Sequence, residues 1–206
     1  MTIGSAARPL REAVTPHRAP APLENVKFGF WLFLASECLF FASLVGTYLA
    51  LHGRSLTGPF PQDVFNIPLT TVSSFVLLTS SLTMVLAVAA IQHGDVAAMK
   101  RWLAVTAFLG LVFLGFQAYE FTEFVHEGLT LRTNVFGASF YTLTGFHGAH
   151  VAIGVIWLVT LLLHALRGGI TRDKATAVEV AGLYWHFVDV VWIVIFTVVY
   201  LLEFAR

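Results

Sequence analysis

Residues 28–51 read FGFWLFLASECLFFASLVGTYLAL and contain Glu37 but no other Asp, Glu, Lys or Arg. As a helix, these 24 residues would rise about 36 Å, which is enough to cross a bilayer core of ~30 Å. A charged side chain at bilayer depth costs at least ~2.5 kcal/mol, so an acid placed there usually has a partner or a function. The stretch therefore predicts a transmembrane helix with a polar group near its midpoint.

Four more stretches are long and apolar enough to cross a bilayer, and none alternates as membrane β-strands do. The five predicted spans are residues 28–51, 69–91, 102–124, 135–163 and 180–202. We therefore predict an all-α integral membrane bundle of five transmembrane helices, formed by residues 28–206. Residues 1–27 hold four prolines and no long apolar run, so we predict a mobile cytoplasmic N-terminal tail rather than a signal peptide.

The composition excludes a soluble globular domain. The chain is 57% hydrophobic and only 12% charged, with a mean hydropathy of +0.79, whereas soluble domains are about 25% charged. The formal net charge of zero gives no basic surface for a nucleic acid. Cys38 is the single cysteine, so it cannot form an internal disulfide, and we expect a small core residue.

The basic residues predict the orientation in the membrane. With a cytoplasmic N-terminus, nine Lys and Arg residues fall on the cytoplasmic side and three fall outside, as the positive-inside rule requires. The nine are Arg8, Arg11, Arg18, Lys27, Lys100, Arg101, Arg167, Arg172 and Lys174, and the three are Arg54, Arg132 and Arg206. Five spans then place the C-terminus outside.

Three spans carry polar side chains at similar expected depth. They are Glu37 in the first span, His147 and His150 in the fourth, and His186 and Asp189 in the fifth. Each pair is spaced i, i+3 and so lies on one side of its helix. Two hypotheses follow: the histidines and the aspartate ligate a transition metal, or they form hydrogen bonds between helices.

Small residues around His147 favour the hydrogen-bond hypothesis. Gly145 and Ala149 are four apart, as are Gly148 and Ala152, and such small pairs let a neighbouring helix approach closely. A close seam leaves little room for a cofactor, so we predict packing histidines and no metal on this chain.

Acids elsewhere have simpler interpretations. We expect Glu120 to be paired inside the bundle, and Glu123 and Glu127 to be solvated at the outer helix end. Glu179 lies at the inner mouth of the fifth span, where an acid in the first turn suits the helix dipole. For Glu37, three roles stay open: proton carrier, residue of a lipid cleft, or neutral structural acid.

A basic cluster follows the fourth span. Arg167, Arg172 and Lys174 mark the cytoplasmic side and are candidates to bind anionic lipid headgroups.

Four segments together resemble subunit III of the haem-copper terminal oxidases. They are residues 36–41 (SECLFF), 117–120 (QAYE), 145–150 (GFHGAH) and 184–192 (YWHFVDVVW), and the similarity runs in order from about Lys27 to Phe204. The resemblance implies that Glu37 matches the carbodiimide-reactive intramembrane glutamate of the family, and Glu179 a second family acid. Longer members have seven helices around a V-shaped lipid-filled cleft. This chain lacks counterparts of the first two, so helices of another subunit can fill that place.

The resemblance further implies an accessory role in a proton-pumping terminal oxidase of the bacterial cytoplasmic membrane. Haem and copper belong to subunits I and II, so this chain is expected to carry no cofactor and no catalytic residue, but to bind structural phospholipid. Its expected partners are subunit I as the main contact, subunit II and a small subunit IV. It is expected to stabilise subunit I, support proton uptake and offer oxygen a route inward.

The electron donor and two other classes of function stay open. The residues TGF before His147 and the QAYE segment favour cytochrome c over quinol, with a quinol oxidase or a nitric-oxide-reductase-associated homologue as alternatives. A stand-alone metal or haem enzyme would use His147, His150 and His186. A proton-coupled transporter would use Glu37 and Asp189, although no internal repeat supports it.

Overall fold

A computed structural model describes residues 22–171 and 175–202, and within them all regular structure is helical. The helices are α1 (Pro22–Leu51), α2 (Pro61–Val64), α3 (Ile67–Gln92), α4 (Val96–His126), α5 (Val135–Leu166) and α6 (Ala175–Ile195), and α6 continues as a π-helical segment, Phe196–Leu201. Five of them are long and apolar enough to cross a membrane, which confirms the five predicted spans.

The helix ends differ from the predicted spans because capping, not hydropathy, decides where a helix begins. α1 begins at Pro22, so the last residues of the predicted tail are helical, while residues 1–21 lie outside the described part of the chain. α4 begins at Val96, six residues before its predicted span, because the Asp95 carboxylate accepts a hydrogen bond from the backbone N–H of Ala98 at 2.8 Å. The hydropathy windows marked only the apolar middle of each helix.

Three helices end in the same way. Gly94, Gly128 and Gly168 follow α3, α4 and α5, and each has a positive φ, between 78° and 87°. The left-handed conformation costs glycine little, and it lets backbone N–H groups bond back to the last carbonyls of the helix. The connections are therefore short, and neighbouring helices run antiparallel.

The helix order in space centres on α6. It contacts α3, α5 and α1, while α3 packs along α4 and α4 packs along α5. α1 contacts α5 and α6, and only 11% of its most apolar stretch is buried. α1 is thus a peripheral helix on a four-helix core.

The predicted turn-rich loop after α1 is fastened to the start of α5. The Asn134 side-chain amide donates to the carbonyl oxygens of Thr57 and Pro59 at 2.9 and 3.1 Å, and the Phe136 backbone N–H donates to Ser55 Oγ at 3.0 Å. These bonds fasten the loop between α1 and α3 to the first turn of α5, at the end of the bundle that the predicted orientation places outside. They give the loop a fixed position that its composition did not reveal.

Trp185 is the largest side chain fully buried at the centre of the bundle, and two glycines make room for it. A Cβ atom on Gly110 of α4 would lie 2.6 Å from its ring, and one on Gly154 of α5 would lie 2.9 Å away. The indole N–H donates to Ser80 Oγ of α3 at 2.9 Å. One residue of α6 therefore sets the spacing of three other helices.

Replacing Gly110 by Leu should destabilise the bundle, because the new side chain would overlap the Trp185 ring. Overpacking of this kind lowers the free energy of unfolding by about 1–3 kcal/mol. The measurement is the thermal unfolding midpoint of the purified protein in detergent, which should fall. Gly115→Leu on the same helix is the matched control, since a Cβ there has no neighbour within 4 Å. Equal stability of the two variants would contradict the close packing of Gly110 against the Trp185 ring.

Candidate functional site

The polar residues predicted to share one central layer separate into different helix seams. Glu37 and His150 meet between α1 and α5, where Glu37 Oε2 lies 3.2 Å from His150 Nε2. His150 Nδ1 lies 2.7 Å from the Phe146 carbonyl oxygen, which can only accept, so Nδ1 carries a hydrogen. The bond between Nε2 and Glu37 then needs one more proton, held by either partner. Glu37 and His150 therefore form a hydrogen bond between α1 and α5, within the membrane-spanning part of both helices.

His147 points into a different seam from His150. Its ring is fully buried between Phe113 and Trp192, with ring centroids 5.9 and 4.8 Å away, and its Nε2 lies 3.3 Å from the Val188 carbonyl oxygen of α6. Nε2–H is the donor, because the carbonyl can only accept. For His147, the predicted role in helix packing agrees with this geometry.

Only one of the two predicted small-residue pairs lies at a seam. A Cβ atom on Gly148 would lie 2.5 Å from Gln117 Oε1 of α4, and Gln117 Nε2 donates to the Thr144 carbonyl oxygen at 2.9 Å. The prediction for Gly145 and Ala149 is wrong, because a Cβ on Gly145 has no neighbour within 4 Å and Ala149 is exposed. Because α5 is apolar on all sides, its sequence did not indicate which face packs against another helix.

The seam between α3 and α6 is lined by serines and indoles. Trp192 Nε1 donates to Ser74 Oγ at 2.9 Å, as Trp185 Nε1 does to Ser80 Oγ about two turns away along α6. Ser81 Oγ lies 2.7 Å from His186 Nδ1. These partners were not predicted from the sequence, although the serine pairs 73–74 and 80–81 are spaced seven apart on one face of the second predicted span.

Asp189 lies on the same face of α6, between Trp185 and Trp192. Its side chain is 3% exposed, and neither carboxylate oxygen has a hydrogen-bond partner among the described residues. Ser81 is close enough to interact with the carboxylate, but outside the geometry of a direct hydrogen bond.

The geometry does not assemble the set of ligands that the metal hypothesis requires. His147 faces α6, His150 faces α1, and His186 faces α3, and among residues 22–171 and 175–202 no three His, Cys, Asp or Glu side chains come together. The two acids that the transporter hypothesis uses also lie apart. Glu37 contacts His150 between α1 and α5, and Asp189 lies near Ser81 between α6 and α3.

Glu120 is paired inside the bundle, as predicted. Its side chain is 4% exposed, and Thr70 Oγ1 of α3 donates a short hydrogen bond to its carboxylate. Glu123 and Glu127 are exposed, also as predicted.

Glu179 joins α1, α3 and α6 at the inner end of the bundle, which is the end that the predicted orientation places on the cytoplasmic side. Its Oε2 lies 2.6 Å from Lys27 Nζ of α1, and its Oε1 accepts from Gln92 Nε2 of α3 at 2.9 Å. The prediction of a first-turn acid is wrong, because α6 begins at Ala175 and its first turn holds no acid. Glu179 is held by side chains rather than by the helix dipole, and sequence reasoning missed both partners.

The predicted headgroup cluster is described only in part. Arg167 is exposed at the C-terminal end of α5, and Arg172 and Lys174 lie outside the described residues.

An apolar groove runs between α1 and α6 on the side away from α5. Cys38, Phe41 and Val45 line it from α1, and Val190 and Val194 from α6, with a volume of about 460 Å³. Cys38 is exposed here, which corrects the prediction of a core cysteine.

The groove continues toward the inner end of the bundle. His186 and Leu183 line its next section, and Lys27, Gln92 and Glu179 line its inner mouth. Its surface is apolar at bilayer depth and charged at one end.

The fold and the site define a multi-pass helical membrane protein in which the buried Glu120, His147 and Trp185 each form a hydrogen bond to a neighbouring helix. A family model described as Cytochrome c oxidase subunit III matches residues 10–204. The chain belongs to the cytochrome c oxidase subunit III family, and the resemblance stated from the four segments is confirmed.

Known relatives match over most of their length. Cytochrome c oxidase subunit 3 of Bacillus sp. (strain PS3) is 46% identical over 179 residues, which cover 87% of this chain and 86% of the relative. The Bacillus subtilis (strain 168) protein of the same name is 43% identical over 189 residues, 91% of each chain. The probable quinol oxidase subunit 3 of Staphylococcus saprophyticus is 41% identical over 177 residues, covering 85% and 88%.

Gly148→Leu should lower thermal stability, since a larger side chain must displace Gln117 from its bond to Thr144. We expect a loss of about 1–3 kcal/mol in unfolding experiments. Gly145→Leu, three residues away on the same helix, should behave like the unmodified protein. If both variants unfold at the same temperature, the assignment of Gly148 to the α4–α5 seam fails.

Proposed function

We propose that this chain is the accessory subunit III of a proton-pumping respiratory oxidase, in which electron transfer to oxygen takes place in subunits I and II. The observation that carries the proposal is family membership across residues 10–204, with relatives named subunit 3 of cytochrome c oxidase or of quinol oxidase. The chain itself is non-catalytic and holds no haem or copper, and both groups belong to the partner subunits.

The geometry of the polar residues supports an accessory role. Glu120, His147, His186 and Glu179 each contact a group on a neighbouring helix, so these residues serve the packing of the bundle. Interhelical hydrogen bonds of this kind contribute about 0.6 kcal/mol each on average in membrane proteins, and several together keep the helices in one arrangement. A rigid bundle of this kind is suited to brace subunit I, its proposed main contact, with subunit II and a small subunit IV as further partners.

The proposed location is the bacterial cytoplasmic membrane, with the N-terminus on the cytoplasmic side and the C-terminus outside. Among the described residues, Lys27, Lys100, Arg101 and Arg167 lie near the end of the bundle proposed to face the cytoplasm. Only Arg54 and Arg132 lie in the connections at the other end, as the positive-inside rule expects.

The groove between α1 and α6 is the proposed place for bound phospholipid. Its apolar walls fit acyl chains, and Lys27 at the inner mouth offers a cation to a phosphate group. The exposed Arg167 is proposed to contact headgroups nearby, together with Arg172 and Lys174. Such an apolar passage is also the proposed route of oxygen toward subunit I.

Cytochrome c is the proposed electron donor. The relatives named cytochrome c oxidase subunit 3 are 43–46% identical to this chain, and those named quinol oxidase subunit 3 are 38–41% identical. The donor binds elsewhere in the complex, so this chain carries no residue for it.

The first test is a mild-detergent purification of a tagged chain from its native membrane, with an optical spectrum and identification of the co-purifying subunits. We expect reduced-haem bands together with stoichiometric subunits I and II. The form of subunit II then distinguishes cytochrome c from quinol. A colourless preparation without partners, obtained also after chemical cross-linking of the intact membrane, would overturn the proposal.

Glu37→Gln should leave the haem spectrum and subunit composition of the purified complex unchanged, because Glu37 contacts His150 and the haem and copper are proposed to lie in subunits I and II. Absorption spectra and subunit stoichiometry check this outcome. Glu123→Gln, which alters an exposed acid, is the control. Loss of haem or copper in the Glu37 variant alone would contradict a purely accessory role.

A further inference from the structure

Asp189 is the one buried acid of the described residues whose carboxylate oxygens have no hydrogen-bond partner. A charged carboxylate in this position would be desolvated without compensation, which costs several kcal/mol even in a hydrated protein interior. The group is therefore neutral and holds a proton. Asparagine has nearly the same shape and carries no such penalty, so packing alone does not explain an acid here.

The neighbours of Asp189 are committed to other partners. Trp185 and Trp192, on either side of it along α6, donate to Ser80 and Ser74. On α5, His147 Nε2 donates to the Val188 carbonyl, so its Nδ1, which has no hydrogen-bond partner among the described residues, carries no hydrogen and no charge. α3 carries no Asp, Glu, Lys, Arg or His.

The remaining charged and titratable groups around α6 are equally engaged. Glu37 of α1 and His150 of α5 bind each other, and Glu120 of α4 binds Thr70. No ionic partner in the described helices therefore holds the Asp189 proton in place.

One polar connection leads from Asp189 to the surface of the bundle. Ser81 Oγ lies 2.7 Å from His186 Nδ1, and Ser81 is also near the Asp189 carboxylate, without the geometry of a direct hydrogen bond to it. His186 is partly exposed and lines the groove between α1 and α6, in the sections nearest the inner mouth with Lys27 and Glu179. The sequence of groups from groove to interior is thus His186, Ser81, Asp189.

We propose that Asp189 is a proton-exchange site that is loaded from the α1–α6 groove through His186 and Ser81. Nothing in this inference depends on which subunits surround the chain. The proposal requires that a group able to give or take a proton enters the groove at its inner end and reaches the ring of His186, beside any bound lipid.

The transfer balances without another reactant. A neutral His186 with hydrogen on Nδ1 takes a proton at Nε2 from the groove and releases the Nδ1 proton to Ser81 Oγ. Ser81 releases its own hydroxyl proton to the ionised carboxylate of Asp189. One proton enters from the groove and one reaches Asp189. His186 is again neutral, now with hydrogen on Nε2, and the reverse steps unload the site. The last transfer requires the Ser81 hydroxyl or the carboxyl group to rotate toward the other.

Infrared spectroscopy of the protein in its native complex tests the proposal, because a protonated carboxyl group has its own C=O stretching band. We expect such a band to disappear in Asp189→Asn, to move in frequency in Asp189→Glu, and to shift when H2O is replaced by D2O. The Glu variant keeps the acid, so it assigns the band even if the Asn variant folds poorly.

The relay is tested by the rate of that D2O shift. In His186→Phe the band should persist, but its exchange should be slower by a factor of about ten or more. This corresponds to a barrier that is higher by at least ~1.4 kcal/mol. Ser81→Ala should slow the exchange in the same direction. His150→Phe is the matched control, since His150 lies in the α1–α5 seam, and its exchange should equal that of the unmodified protein.

Two results would overturn the proposal. One is the absence of any carboxyl band that responds to both Asp189 substitutions. The other is an exchange rate that is the same in His186→Phe and His150→Phe, which would make Asp189 a static neutral acid. Both readouts are independent of oxidase activity, so a wrong assignment of the complex would not be mistaken for either.

Discussion

The bilayer core offers no water to a polar group, so every buried donor and acceptor of the helices needs a partner inside the bundle. The bonds between Trp185 and Ser80 and between Trp192 and Ser74 meet this need between α6 and α3. Because each indole is large and its N–H must reach one hydroxyl, the two bonds fix both the rotation and the height of α6. The rest of the packing follows, since the ring of Trp185 fits only where Gly110 and Gly154 lack side chains.

α1 is held in another way. It is mostly exposed along its length, and polar contacts fasten it at two heights, to His150 through Glu37 and to Glu179 through Lys27. Because α1 meets α6 at only a few points, one of them the ion pair of Lys27 with Glu179, a gap is left between the two helices, and this gap is the groove. A packed core with one peripheral helix therefore provides both a rigid brace and an apolar passage, the two properties that the proposed accessory role requires.

The buried polar groups are of two kinds. Glu120 bonds to Thr70 and His147 Nε2 bonds to the Val188 carbonyl, so each has a partner on a neighbouring helix, and replacing them would mainly disturb packing. Asp189 has the same degree of burial without such partners, and it lies one serine away from a histidine on the groove. The indoles on either side of Asp189 bond to Ser80 and Ser74, and neither bond includes the carboxylate, so the contacts that join α6 to α3 leave this acid free to exchange a proton.

Hydropathy and spacing in the sequence determined the five membrane helices, the intramembrane position of Glu37, the pairing of Glu120 and the seam at Gly148, because these depend on local composition. The tertiary structure alone decided which partner each polar residue meets. His147 and His150 are three residues apart, which places them only about 60° apart around the helix axis, yet one faces α6 and the other α1. Gly145 and Glu179 were misjudged for the same reason. In a membrane helix that is apolar on all sides, the hydrophobic pattern does not distinguish lipid from protein, so the positions of the neighbouring helices decide which faces are buried and which acids are paired.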